Sequence, residues 1–162
     1  MWWINFGSQS AGSSDAAGGL ITYKQMGLSF FAVFLAPMVY YLYKKAKSLP
    51  EYFLAGSYIY LIFFVFPTEI HERYIYPALA LLPFAAVKDK KIFWVLIVLT
   101  ITLFLNNYAV LQTAFPQFAS LGFITQYLPL DGGWTKIVSA VNLLLAIYLA
   151  IYFIYESFKK AK

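Results

Sequence analysis

The sequence predicts an all-α, polytopic membrane protein of about five transmembrane helices, with its N-terminus outside and its C-terminus in the cytoplasm. Composition is the first sign. The 162 residues are 62% hydrophobic and only 12% charged, with a mean hydropathy of +0.69. A soluble domain carries roughly 25% charged residues. The second sign is a recurrence of apolar runs, each near the roughly 20 residues that a helix needs to cross the hydrocarbon core. The third is that lysine clusters fall at alternate connections between those runs.

Taken in order, residues 1–24 read as an external Gly/Ser-rich segment, densest from Gly7 to Gly19. Its start, Met1-Trp2-Trp3-Ile4-Asn5, lacks the basic head and apolar stretch of a signal peptide and reads as a chain entered partway through. Residues 25–162 read as one helical transmembrane module. Its spans are expected at about 25–43, 49–67, 69–87, 92–111 and 134–155. Lys44-Lys45-Ala46-Lys47, Lys88-Asp89-Lys90-Lys91 and Lys159-Lys160-Ala161-Lys162 all share one parity. Short lysine-rich loops stay cytoplasmic. That rule puts the N-terminus, residues 69–73 and the loop 112–133 outside, with only Lys24 and Lys136 against it.

The third span is the unusual one. Its uninterrupted apolar part, Tyr74 to Val87, is about 21 Å long at 1.5 Å per residue, against a core of about 30 Å. A helix starting earlier makes up the difference, with Pro67 before it and the Thr68 hydroxyl as its cap. Such a start draws Glu69-Ile70-His71-Glu72-Arg73 to the membrane boundary. On an α-helix, Glu69, Glu72, Arg73 and Tyr76 would share one stripe, with His71 on another side. Pro77 and Pro83 cannot donate to the carbonyls of Arg73 and Leu79, and freed carbonyls are tolerated where other helices satisfy them. The loop 112–133 carries Phe115, Phe118, Phe123, Tyr127 and two prolines, Pro116 and Pro129, and reads as an aromatic-anchored interfacial segment. Asn106 and Asn107 read as packing or capping residues rather than ligands.

The chain has no cysteine, which excludes thiolate catalysis, thiolate metal sites and disulfides. Its net charge of +5 comes from lysines in loops rather than a basic stripe, so no nucleic-acid partner is expected. Chemistry concentrates in residues 69–73, which hold the single histidine and the single arginine. Charged groups at a membrane boundary are costly to place and point to function. One imidazole and two carboxylates do not complete a metal shell, and no inverted repeat marks a carrier. A phosphate grip fits the residue types. Arg73 offers a planar fork of donors, a helix start adds free amides, and His71 titrates near neutrality. The bland alternative is a Glu69–Arg73 ion pair that pins a turn.

Pro67-Thr68-Glu69-Ile70-His71-Glu72-Arg73-Tyr74-Ile75-Tyr76-Pro77-Ala78 resembles the His-Glu-Arg-Tyr signature of a group of C-type, multi-span membrane glycosyltransferases. That group is related to the second mannosyltransferase of glycosylphosphatidylinositol synthesis. Trp2-Trp3 and the segment ending Asp15-Ala16-Ala17-Gly18-Gly19 are similar to the stretch before the last helices of such enzymes. The resemblance implies transfer of a sugar, mannose, from a polyprenyl-phosphate donor on the non-cytoplasmic face. It implies that Arg73, His71 and Glu72 line the donor phosphate and sugar, with Glu69 and Tyr76 in support. It covers only the C-terminal part of the family. The acidic catalytic motif lies in an early external loop with no counterpart here, so no catalytic residue is assigned in this chain. The expected partners are membrane lipid, the polyprenyl-phosphate sugar, and a missing N-terminal half or partner membrane subunit. No metal ligand is assigned in this chain, and a divalent metal in the complete enzyme is left open. The alternative is a small non-catalytic membrane scaffold or accessory subunit.

Overall fold

The computed structural model describes residues 22–67, 72–114 and 132–159, and these form five α-helices. They are α1 (Tyr23–Lys44), α2 (Leu49–Val65), α3 (Tyr76–Ala86), α4 (Lys90–Ala114) and α5 (Gly132–Phe158). A 3-10 turn, Glu72–Ile75, leads into α3. Three stretches are long and apolar enough to cross a membrane: Tyr23–Lys44, Lys90–Ala109 and Lys136–Phe158. The helices α2 and α3 are apolar but shorter.

Each start has a local cause. Thr22 opens α1 with a capping box: its hydroxyl accepts from the Gln25 amide (3.2 Å) and the Gln25 side chain accepts from the Thr22 amide (2.9 Å). Ahead of α2, Glu51 accepts from the Ser48 and Lys47 amides at 2.9 and 2.7 Å, and Pro50 sits in the first turn. Proline fits there because those amides have no partner within the helix. Asp89 opens α4 by accepting from the Lys91 amide at 2.8 Å.

The entry to α3 differs from the sequence expectation. The α-helix begins at Tyr76 rather than near Glu69, and the preceding turn is 3-10. Pro77 explains the delay. In an α-helix begun earlier, its ring would clash with the Arg73 carbonyl, whereas a start at Tyr76 puts it in the first turn. The α-helical stripe through Glu72, Arg73 and Tyr76 is therefore broken by the change of pitch. Residues 68–71, with the expected Thr68 cap, lie outside the described residues, as does the part of the aromatic loop from 115 to 131.

Neighbouring helices pack in a ring: α1 on α2, α2 on α3, α3 on α4, α4 on α5 and α5 back on α1. The second helix also reaches across to α5, so it carries much of the core. Tyr58 of α2 is fully buried, its ring 5.1 Å from Phe153 of α5, which in turn lies 5.1 Å from the ring of Tyr41 of α1. The Tyr58 hydroxyl donates to the Phe34 carbonyl at 2.9 Å, beside the ladder gap that Pro37 opens in α1. One polar pair lies buried between α4 and α5. Thr102 Oγ1 is 2.7 Å from the Asn142 amide oxygen, a cross-helix bond of the kind that holds apolar bundles together.

Candidate functional site

Contacts between the helix ends sort the bundle into two ends. The Lys45 ammonium donates to the Lys159 carbonyl, Lys88 meets Glu51, and Tyr152 meets Asp89. The ends of α1, α3 and α5 therefore gather with the starts of α2 and α4, and the lysine-bearing connections share this end. Residues 72–76 lie at the other.

At that other end, two buried residues close α2 before the candidate cluster begins: Phe66 and Pro67. The Phe66 ring lies 4.5 Å from Phe34 and 5.9 Å from Phe30, both on α1. Gly27 of α1 comes so close that a Cβ there would stand 2.5 Å from the Phe66 carbonyl oxygen. Only a residue without a side chain permits this approach. The 3-10 turn then packs against α2 and α4. Its Ile75 is buried, and the Tyr74 ring meets Phe63 edge-on at 6.2 Å.

Of the residues singled out by sequence, Glu69 and His71 lie outside the described residues. Glu72 and Arg73 are placed by their backbone in the turn immediately before Tyr76. Tyr76 itself is half exposed, and its hydroxyl accepts from the Asn107 amide of α4 at 2.8 Å. A phenol that accepts one bond keeps its own proton for another partner. The pair thus offers an outward donor next to the turn that carries Arg73. Asn107 joins α3 to α4 across the helix boundary.

The lysine end holds a constellation that sequence reading did not assemble. A cavity of about 220 Å³ is lined by Glu51, Lys88, Asp89, Tyr152, Glu156 and Lys159, among others. Lys88 Nζ stands 2.7 Å from Glu51 and 3.0 Å from Ser48 Oγ. Tyr152 donates to Asp89 at 3.1 Å, and Lys159 lies 3.2 Å from Glu156. The signal was the Ser48-x-x-Glu51 capping box, which fixes one carboxylate at the mouth of α2. The cross-helix partners are tertiary and left no trace in the spacing. Among the described residues no three acidic or imidazole groups stand close enough to hold a metal ion.

No protein-family model matches the chain, and neither a curated protein nor a solved structure matches it.

Proposed function

We propose that this chain is the C-terminal membrane module of a glycosyltransferase that transfers a sugar, mannose, from a polyprenyl-phosphate donor on the non-cytoplasmic face. The observation that carries the reading is the Pro67–Ala78 match to the His-Glu-Arg-Tyr signature. In this reading all five helices span, with the N-terminus outside and the lysine connections in the cytoplasm. Two features support it. The turn 72–75 lies at the end of the bundle away from the lysine connections, as an external donor site requires. The Tyr76–Asn107 pair adds a neutral donor beside the arginine-bearing turn.

The work of this half is to grip the donor. Arg73 would take the phosphate through paired charge-assisted hydrogen bonds, His71 and Glu72 the sugar, and Glu69 and Tyr76 would hold them in place. The catalytic carboxylate comes from other helices, in the same or a partner chain, and with it any divalent metal the complete enzyme uses. The reading predicts that Arg73→Ala abolishes transfer in the reconstituted enzyme, a loss of more than about a hundredfold, while membrane insertion is unchanged. Retained transfer would sink the donor-phosphate assignment. The scaffold alternative makes the opposite demand: Glu69→Arg combined with Arg73→Glu should restore the assembly that either single change weakens. A phosphate grip does not survive that exchange.

A further inference from the structure

The cavity at the lysine end has its charges arranged in layers. The Glu51 and Glu156 side chains are 18% and 24% exposed, whereas the lysines paired with them, Lys88 and Lys159, are 53% and 55% exposed. Carboxylates therefore form the wall and ammonium groups the rim. Three carboxylates line the space against two ammonium groups.

Two of the three carboxylates are spoken for. Glu51 holds Lys88 and two backbone amides, and Glu156 holds Lys159. Asp89 accepts from the Tyr152 hydroxyl and the Lys91 amide, and among the described residues no cation pairs with it. A carboxylate offers about four acceptor positions, so Asp89 keeps room for a charged donor on the cavity side. Tyr41 and Tyr152 also line the space, and aromatic rings attract cations. At about 220 Å³ the cavity exceeds the roughly 30 Å³ share of a single water several-fold.

We propose that this cavity binds a primary ammonium group carried next to a phosphate, and that its ligand is the headgroup of an ethanolamine phospholipid. The ammonium completes Asp89, and the phosphate meets the outward tips of Lys88 and Lys159. A divalent ion is the poorer fit, because it wants six or more oxygens and these carboxylates already hold partners. A free anion is poorer still, since it would bring no charged donor to Asp89. The location selects a lipid. The cavity opens where five apolar helices begin or end, which is headgroup level for any bundle embedded this way. The assignment stands apart from the glycosyltransferase reading, since it uses none of the residues at the other end.

The test uses the full chain in phosphatidylcholine nanodiscs, with its melting temperature followed as phosphatidylethanolamine replaces part of the lipid. Choline is cationic but has no N–H to give Asp89, so the background lipid is itself the control. The melting temperature should rise and saturate with phosphatidylethanolamine. It should not respond to phosphatidylglycerol at the same mole fraction. Asp89→Asn, which can still cap α4, should shift the half-saturation point upward by about tenfold. Tyr152→Phe, which frees an acceptor position on Asp89, should keep the response. Competition by soluble glycerophosphoethanolamine would show that the headgroup alone suffices, and a response confined to the bilayer lipid would show that the acyl chains contribute. The proposal is overturned if the wild-type chain does not distinguish phosphatidylethanolamine from phosphatidylcholine. An equal response to phosphatidylglycerol, or an unchanged response in Asp89→Asn, overturns it as well.

Discussion

The two ends of this bundle are held by different forces. At the lysine end, long side chains reach between helix termini: Lys88 to Glu51, Lys45 to the Lys159 carbonyl, and Tyr152 to Asp89. At the other end, the fit is backbone to backbone and ring to ring, with Gly27 against the Phe66 carbonyl and Phe66 against Phe30 and Phe34. Charged pairs that are half exposed act over a distance, adjust by rotation, and are weakened by salt. Close packing has no such slack, because a contact displaced by a few tenths of an ångström loses much of its attraction. The lysine end should therefore tolerate change, and the end that carries Arg73 should not.

Substitution at Gly27 is the severest way to test that contrast. Gly27→Val puts a branched side chain where even a Cβ would meet the Phe66 carbonyl at 2.5 Å, and backbone cannot swing aside. A loss of about 1–3 kcal/mol is expected, read as a lower melting temperature in detergent that does not vary with salt. A neutral result would mean that the two helices are not held this tightly. Removing the best-formed ion pair should matter less. Lys88→Ala breaks a bridge whose lysine is 53% exposed, so about 0–1 kcal/mol is expected. That difference should shrink at high salt, and a salt-independent loss would show that the pair acts through packing. The mildest change sharpens the comparison within one residue type. A Cβ on Gly56 of α2 would stand 3.0 Å from the tip of the flexible Leu81 side chain, which can rotate away. Gly56→Ala also gains about 0.5–1 kcal/mol of helix propensity. Its stability should stay within a few tenths of the wild type, and a loss as large as at Gly27 would erase the distinction between soft and hard neighbours.

What the sequence made legible follows from the same physics. Helix existence was readable because apolar runs of membrane length and lysine punctuation are properties of local segments: α1, α2 and α4 start within two residues of the expected positions. Pairing of helices was not readable. These helices are apolar all round, so no face announces its partner, and the packing of α1 on α5 had to be seen. The late start of α3 was half readable. Pro77 was noted for the carbonyl it leaves unbonded, but its preference for a helix's first turn decides where the helix begins. At the candidate site, residue types spoke for phosphate chemistry, whereas the Tyr76–Asn107 bond joins residues 31 apart and has no sequence signature. The lysines mark orientation along the sequence, and the carboxylates between them acquire meaning only where the helix ends converge.

The packing of α5 on α1 has a consequence for the order in which these helices assemble. Each of α1 to α4 can meet its neighbour as soon as both have left the ribosome, but the α1 face toward α5 waits until α5 itself has been made. Until then, Tyr41 lacks its Phe153 neighbour, and Tyr58 lacks that ring as well. Domains generally assemble in order of synthesis, so the four earlier helices carry an open seam until α5 arrives. Closure of that seam by α5 completes the ring of five helices.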